Sequence, residues 1–210
     1  MHLLFDLPLL CLAICAALPS LWFFIECMLG ALYRPEPPPL QAAEGVRVAV
    51  LMPAHNESAG IALTVQALTP QLSPTTELWV VADNCTDDTA QLAARSGKHV
   101  HVLERHDTER RGKGYALAYG LDQLAAQPPD VVVIMDADCE VSAQGIARLA
   151  QRALQVNAPV QADYVLTPAQ RPSGRSVVSA LAFLVKNRAR PRGLAALGQP
   201  CLLTGTGMGF

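Results

Sequence analysis

Four short polar motifs in this chain have residue types that suit binding and catalysis, and each follows an apolar segment. They are Pro53-Ala54-His55-Asn56-Glu57, Asp83-Asn84, Arg110-Arg111-Gly112-Lys113-Gly114 and Asp136-Ala137-Asp138. Carboxylates suit a divalent cation, whereas a basic, glycine-containing turn suits a phosphate group. Together the motifs predict a site for a phosphorylated ligand and a metal ion.

The clearest of these motifs is the acidic pair Asp136 and Asp138, which directly follows the apolar run Val131–Met135. Two carboxylates at the end of a buried strand repel each other unless a counter-charge is present. Mg²⁺ or Mn²⁺ would supply that charge and take a substrate diphosphate as a further ligand. The alternative is an ordinary strand-to-helix turn with Asp as a cap.

Asp83 and Lys113 are the candidate contacts to the rest of such a ligand. An acid in the position of Asp83 can accept hydrogen bonds from a nucleobase or ribose, although Asp83-Asn84 also suits a helix cap. Lys113 stands between two glycines, so that backbone N–H groups and a compact positive charge can approach a phosphate. The alternative for this segment is a plain basic turn. Neither the P-loop pattern nor the dinucleotide-binding glycine pattern occurs in the sequence.

The elements that must position these residues alternate regularly along the chain. The predicted strands are Val46–Met52, Glu77–Ala82, Val100–Leu103, Asp130–Met135 and Val160–Leu166, and the predicted helices are Ser58–Thr69, Asp87–Arg95, Lys113–Leu124 and Ala143–Gln155. Strands that are apolar without alternation are covered on both faces, which indicates an α/β fold with a mainly parallel, doubly wound sheet. Ligands of such sheets bind beyond the carboxyl ends of the strands, where all four polar motifs fall.

Composition excludes several classes of protein. The 51% apolar content and net charge of −2 exclude a disordered chain. Because 16 basic residues face 18 acidic ones, no basic excess is present to bind nucleic acid. The six cysteines form no CxxC pair and no zinc spacing, and their placement fits a reducing compartment.

The first 33 residues differ from the rest, because the 19 residues Leu7–Ile25 carry no charge. This length crosses about 30 Å of hydrocarbon. We expect a transmembrane anchor at 1–33, a Pro-rich linker at 34–45 and a globular domain at 46–210. Arg34, the first basic residue after the run, favours the inner (plasma) membrane with the domain in the cytoplasm. A signal peptide and a buried soluble helix are the alternatives.

The four motifs, in their order and spacing, resemble the family-2 glycosyltransferases over roughly residues 46–210. The segments that carry the resemblance are VLMPAHNE, VVADNCTDDTA, RGKGYALAYGL and VVVIMDADCEV. The resemblance implies a GT-A fold, a nucleotide-diphosphate sugar as donor and a divalent metal. It also implies a glycan or lipid-linked acceptor and an inverting transfer in cell-envelope or extracellular polysaccharide synthesis.

The resemblance assigns roles to individual residues. Pro53, Ala54 and Glu57 would line the nucleotide pocket, with Asp83 on the base. Lys113 would lie near the base or the diphosphate. Asp138 would hold the metal most directly, whereas Asp136 would face the ribose or sugar as well as the metal.

The catalytic base is not assigned by the sequence. Family members place an acidic pair somewhat after a segment like 204–210, and no acid follows Asp163 in this chain. We therefore expect the base to lie beyond Phe210 and the domain to be incomplete at that end. A non-catalytic, membrane-tethered nucleotide-sugar-binding module and a sugar-phosphate nucleotidyltransferase are the alternative functions.

The region 164–210 is basic, with six Lys or Arg residues and no acid. The apolar segment Val177–Val185 precedes its densest basic group, Lys186 to Arg192. This pattern fits an interfacial helix on an anionic membrane and equally a core helix with a solvated basic end.

Overall fold

The computed structural model describes residues 3–34, 39–40, 45–167 and 173–210, with side chains from residue 6 onward. These residues form two compact units. One unit contains residues 1–38 and 163–202, and the other contains residues 39–162 and 203–210. Most of the predicted linker at 34–45 and the basic residue Arg171 lie outside the described residues. The three-part division made from the sequence remains a prediction.

A six-stranded sheet forms the centre of the second unit, in the spatial order β3-β2-β1-β4-β6-β5. The strands are β1 (Val48–Ala54), β2 (Thr76–Asp83), β3 (Val100–Arg105), β4 (Val131–Ile134), β5 (Val160–Gln161) and β6 (Met208–Gly209). The first four strands are parallel, and β6 runs antiparallel to both β4 and β5. The prediction of a mainly parallel α/β sheet is confirmed.

Four helices of the described residues connect the first five strands as expected, and the other helices lie outside this alternation. The helices are α1 (Leu3–Leu32), α2 (Ile61–Leu68), α3 (Thr89–Arg95), α4 (Lys113–Leu124), α5 (Gly145–Val156), α6 (Gly174–Leu184) and α7 (Arg190–Ala196). A short 3₁₀ turn follows α2 at Thr69–Gln71, and a π-helical segment, Val185–Ala189, joins α6 to α7. The predicted bounds of α4 agree with the structure.

The fifth predicted strand, Val160–Leu166, is wrong in its length. Only Val160 and Gln161 pair in the sheet, and their partner is β6. Strand β6 is too short to give a period-2 signal in the sequence. The Ala162 N–H still donates to the carbonyl oxygen of Gly207 at 2.8 Å, in the same antiparallel register, so the pairing covers only the start of the predicted strand.

Helices cover both faces of the sheet, which explains the uninterrupted apolar strands. On one face, Val50, Met52 and Val80 are fully buried in a core that includes residues of α2 and α5. On the other, Leu51 and Val81 pack with Ala116 of α4. Alternating residues of the central strands thus point into two separate cores, so both faces of these strands are covered.

The first unit consists of α1 packed with the segment from α6 to α7. At Gly30 and Gly193 the helix backbones come so close that a Cβ would lie 1.8 Å from the Ala189 carbonyl oxygen and 1.9 Å from that of Glu26. Small residues allow this approach. Glu26 is buried, and its Oε2 accepts a 2.6 Å hydrogen bond from Arg190 Nε. This ion pair fixes α1 against α7.

Helix α1 is long and apolar enough to cross a membrane over Asp6–Leu32. Its most apolar stretch is not buried within the protein, as a soluble core helix would be. A helix of this kind near the N-terminus is also compatible with a signal sequence. Membrane attachment therefore remains a prediction.

Candidate active site

One cavity of about 480 Å³ lies at the carboxyl ends of β1, β2 and β4. All seven residues assigned to ligand or metal by sequence line it: Pro53, Ala54, Glu57, Asp83, Lys113, Asp136 and Asp138. His55, Asn84, Arg111 and Gly112 also line it. Strand direction explains the convergence, because parallel neighbours end at the same edge of the sheet.

The two acids that follow β4 have different environments. Asp138 is exposed, and no basic side chain of the described residues pairs with it. Asp136 is half-buried, and its Oδ1 accepts a short hydrogen bond from Lys113 Nζ. Lys113 also donates to the carbonyl oxygen of Gly205 at 2.6 Å. Asp138 is thus the carboxylate without an ion pair among the described residues, and its Oδ1 accepts only a weak contact from the Cys139 thiol at 3.8 Å.

A potential metal-binding group within the described residues consists of Asp136, Asp138 and Cys139, whose ligand atoms lie within 4.8 Å of one another. Burial raises the pKa of the Cys139 thiol above its usual value, and the hydrogen bond with Thr206 opposes that shift. A protonated thiol is a poor ligand for a hard cation. The two carboxylates are therefore the donors that fit Mg²⁺ or Mn²⁺.

Asp83 ends β2 in a buried ion pair that the sequence did not indicate. Its Oδ1 accepts a 2.6 Å hydrogen bond from Arg105 Nη1 and a 3.0 Å bond from Asn84 Nδ2. Arg105 is also buried, at the end of β3, and pairs with Asp107 at 3.1 Å. The ladder places Asp83 directly opposite Arg105. An arginine at the end of the neighbouring strand was the available signal.

Asp107 holds the basic turn before α4. The backbone N–H of Arg110 donates to Asp107 Oδ1 at 2.9 Å, and this contact lowers the pKa of the Asp107 carboxyl. The Arg110 side chain also donates to Asp107, from Nε to Oδ2, and so stabilises the turn. Arg111, in contrast, lines the cavity. Gly112 has φ of 109°, a conformation that favours glycine, and Lys113 begins α4 directly after it.

Hydrogen bonds join the loop after β1 to the loop after β2. Asp87 accepts hydrogen bonds from the Thr89 hydroxyl at 2.5 Å and from the Ser58 backbone at 3.1 Å. These bonds, the Thr89 hydroxyl foremost, hold the pKa of Asp87 well below its usual value. Glu57 N–H donates to Thr89 Oγ1 at 2.8 Å, which fixes the backbone at Glu57.

His55 and Thr206 complete the support around the cavity. The Nδ1 atom of His55 lies 2.7 Å from the Asp83 carbonyl oxygen, the local hydrogen bond expected of a lone histidine. Thr206 is buried, and its Oγ1 accepts from the backbone N–H of Asp136 at 2.9 Å. Sequence analysis missed Thr206, because its only signal is a small polar residue among glycines.

The chain belongs to glycosyl transferase family 2, whose model matches residues 49–176. It is 36% identical over 104 residues to glucosyl-3-phosphoglycerate synthase of Mycobacterium tuberculosis, covering 47% of this chain and 31% of that one. It is 29% identical over 121 residues to glycosyltransferase AglD of Haloferax volcanii, covering 55% of this chain and 19% of that one. The chain thus spans less than a third of the length of these curated relatives.

A solved structure supports the fold. Mannosyltransferase PcManGT from Pyrobaculum calidifontis, solved with GDP-Man and Mn²⁺, matches with a TM-score of 0.54 and 21% identity. The match covers 91% of this chain and 51% of that one. The fold predicted from the resemblance, that of the GT-A glycosyltransferases, is confirmed.

Proposed function

We propose that this chain binds a nucleotide-diphosphate sugar in the cavity at the sheet edge and forms the donor site of a metal-dependent glycosyltransferase. The observation that carries the proposal is the convergence of all seven sequence-assigned residues on one cavity. In this assignment Pro53, Ala54 and Glu57 line the nucleotide pocket and Asp83 faces the base. Family membership narrows the chemistry to sugar transfer.

The metal is assigned to Asp138 first and Asp136 second. Asp138 is exposed and has no basic partner among the described residues, so its carboxylate is available to a cation. Asp136 forms an ion pair with Lys113, so its carboxylate is less available to a metal ion. Mg²⁺ or Mn²⁺ bound there would stabilise negative charge on the diphosphate as it leaves the sugar.

Lys113 is the residue assigned to the diphosphate. Its amino group is fixed by Asp136 and the Gly205 carbonyl oxygen, so its position at the cavity does not depend on a ligand. It begins α4, where unpaired backbone N–H groups also favour an anion. A cation held in place beforehand stabilises charge that develops on the leaving group without reorganisation.

We propose that the transfer is inverting. A carboxylate acting as general base would take the proton of an acceptor hydroxyl, whose oxygen attacks the anomeric carbon opposite the leaving diphosphate. We propose a glycan or lipid-linked acceptor and a role in cell-envelope or extracellular polysaccharide synthesis. The apolar helix α1 and the exposed apolar face of α6 support a site of action at a membrane.

Titration calorimetry of the full chain in mild detergent tests the donor site. We expect UDP or GDP to bind, and Mn²⁺ to tighten that binding by about tenfold or more, because metal and diphosphate supply ligands and charge to each other. The corresponding free nucleoside, which lacks the diphosphate, should show no effect of Mn²⁺. Diphosphate binding that is equally weak with and without Mn²⁺ would contradict the proposal. Release of free sugar from a bound donor would distinguish an enzyme from a binding module.

Deleting residues 1–33 is expected to move the protein from the membrane fraction to the soluble fraction, because α1 is the proposed anchor. Fractionation followed by a wash at 1 M salt measures the change. The full chain should resist the wash, since burial in hydrocarbon is not screened by salt. Full, salt-resistant membrane binding by the deletion variant would overturn the single-anchor proposal, and an intact mass lacking the N-terminal segment would favour a cleaved signal peptide.

A further inference from the structure

A second cavity, of about 660 Å³, lies in the helical unit and shares no residue with the cavity at the sheet edge. Three of its lining residues are arginines, Arg34, Arg188 and Arg192. The remaining lining is apolar or small and includes Gly30 and Leu184. A cavity that combines several guanidinium groups with apolar walls suits an anion that carries a hydrocarbon portion.

One carboxylate orients two of these arginines. Asp163 Oδ2 accepts from Arg188 Nε at 3.1 Å and from Arg192 Nη2 at 2.6 Å. Each guanidinium has five N–H donors, so most donors of both arginines remain available. Arg34 has no acidic partner among the described residues. Three positive groups against one carboxylate leave an excess of two positive charges.

The helix packing fixes the position of the arginines along α1. Gly30 contacts Ala189, which directly follows Arg188, and Gly193, which directly follows Arg192, contacts Glu26. Arg34 follows the end of α1 by two residues. The three arginines therefore cluster beside the last turns of α1, where the helix dipole also favours cations.

The arginine cluster would lie at the depth at which a membrane presents the phosphate groups of its lipids. The uncharged run of α1 ends at Ile25, and the arginines lie beside the turns from Glu26 onward, so in a bilayer they would lie at the headgroup layer. The cavity wall beside the arginines is apolar or small, with Ala31, Leu184 and Ala189. A hydrocarbon portion next to the phosphate would contact this wall, which supports a lipid over a free ion.

We propose that Arg34, Arg188 and Arg192 form a binding site for the phosphate of a membrane-lipid headgroup. Guanidinium groups bind phosphate through paired N–H donors, and a terminal phosphate with two negative charges matches the excess of two positive charges. The proposal depends on membrane attachment and does not depend on sugar transfer. Its ligand, a lipid phosphate, differs from the nucleotide diphosphate assigned to the other cavity.

Binding of a soluble short-chain lipid to the full chain in a neutral detergent tests the site. The probe is dihexanoyl phosphatidic acid, compared with dihexanoyl phosphatidylcholine and with inorganic phosphate, all by calorimetry. Phosphatidic acid should bind more tightly than either reference compound. Equal binding of inorganic phosphate would reduce the site to one for free anions, and equal binding of phosphatidylcholine would show that acyl chains alone are recognised; either result overturns the proposal.

Arg34→Gln is the informative variant, because Arg34 is exposed and forms no ion pair with a described residue. We expect it to weaken binding of phosphatidic acid by about tenfold, the loss of one charge-assisted contact. Lys186→Gln is the matched control, since it removes one positive charge from the π-helical segment that carries Arg188, outside the cavity. Equal affinities for Arg34→Gln and the wild type would overturn the proposal.

The double variant Arg188→Gln/Arg192→Gln should abolish lipid binding. Nucleotide binding measured on the same preparations separates this site from the donor site. It should remain at the wild-type level in all three variants, because none of the changed residues lines the donor cavity.

Discussion

Asp138→Ala is expected to weaken nucleoside-diphosphate binding in the presence of Mn²⁺ by about 3 kcal/mol, roughly a hundredfold. Asp138 is the exposed acid without a basic partner in the proposed metal site, so its removal takes away the principal ligand. Affinity for the free nucleoside should change little. Asp138→Asn should weaken nucleoside-diphosphate binding in the same way, because it keeps the shape of the side chain and loses its charge.

Two controls separate a metal effect from a general loss of charge. Glu140→Ala removes an exposed acid two residues away that does not line the cavity, and it should leave affinity unchanged. Stability of Asp138→Ala should stay within about 0.5 kcal/mol of wild type, as for other exposed positions. If Asp138→Ala bound the metal and diphosphate as tightly as wild type, the acidic pair would be only part of a strand-to-helix turn and not a metal site.

Arg105→Met is expected to lower the free energy of unfolding by about 3–5 kcal/mol, the usual cost of breaking a buried ion pair. Arg105 and Asp83 are both buried, and methionine would leave the Asp83 carboxylate with only the Asn84 amide as a partner. Asp83→Asn should cost less, about 1–3 kcal/mol, since asparagine still accepts a hydrogen bond and Arg105 keeps Asp107.

The double variant Asp83→Asn/Arg105→Met makes this test sharper. Its loss of unfolding free energy should be smaller than the sum of the losses in the two single variants, because Asp83→Asn removes the charge that Arg105→Met leaves unpaired. Arg110→Met is the matched control: Arg110 pairs with Asp107 but is 71% exposed, so its loss should cost no more than about 1 kcal/mol.

Urea unfolding followed by tryptophan fluorescence measures these values. The chain has two tryptophans, and Trp22→Phe in α1 leaves Trp79 on β2 as the reporter of the sheet. An Arg105→Met protein as stable as the control would show that the ion pair contributes nothing. Nucleotide affinity measured on Asp83→Asn while it is folded should fall as well, since Asp83 is assigned to the base.

The sequence by itself determined the sheet edge that carries the site. Apolar strands without alternation predicted burial on both faces, and parallel strands place their carboxyl ends at the same edge. Asp83, Lys113 and Asp136 therefore reach one cavity although they follow different strands. Motif order identified the family, and the bounds of α4 followed from the glycine before it and the apolar period within it. All of these signals are local.

Only the tertiary structure decided which residues support the site. Arg105 pairs with Asp83 across 22 residues, and Thr206 accepts a hydrogen bond from Asp136 across 70. The insertion of β6 between β4 and β5 likewise joins segments that are remote in the chain. Hydrophobic periodicity and secondary-structure propensity report the conformation of residues that are close in sequence. The contacts named above depend instead on how complete helices and strands pack against one another. The clustering of Arg34 with Arg188 and Arg192 arises in the same way, from the close approach of two helices at Gly30 and Gly193.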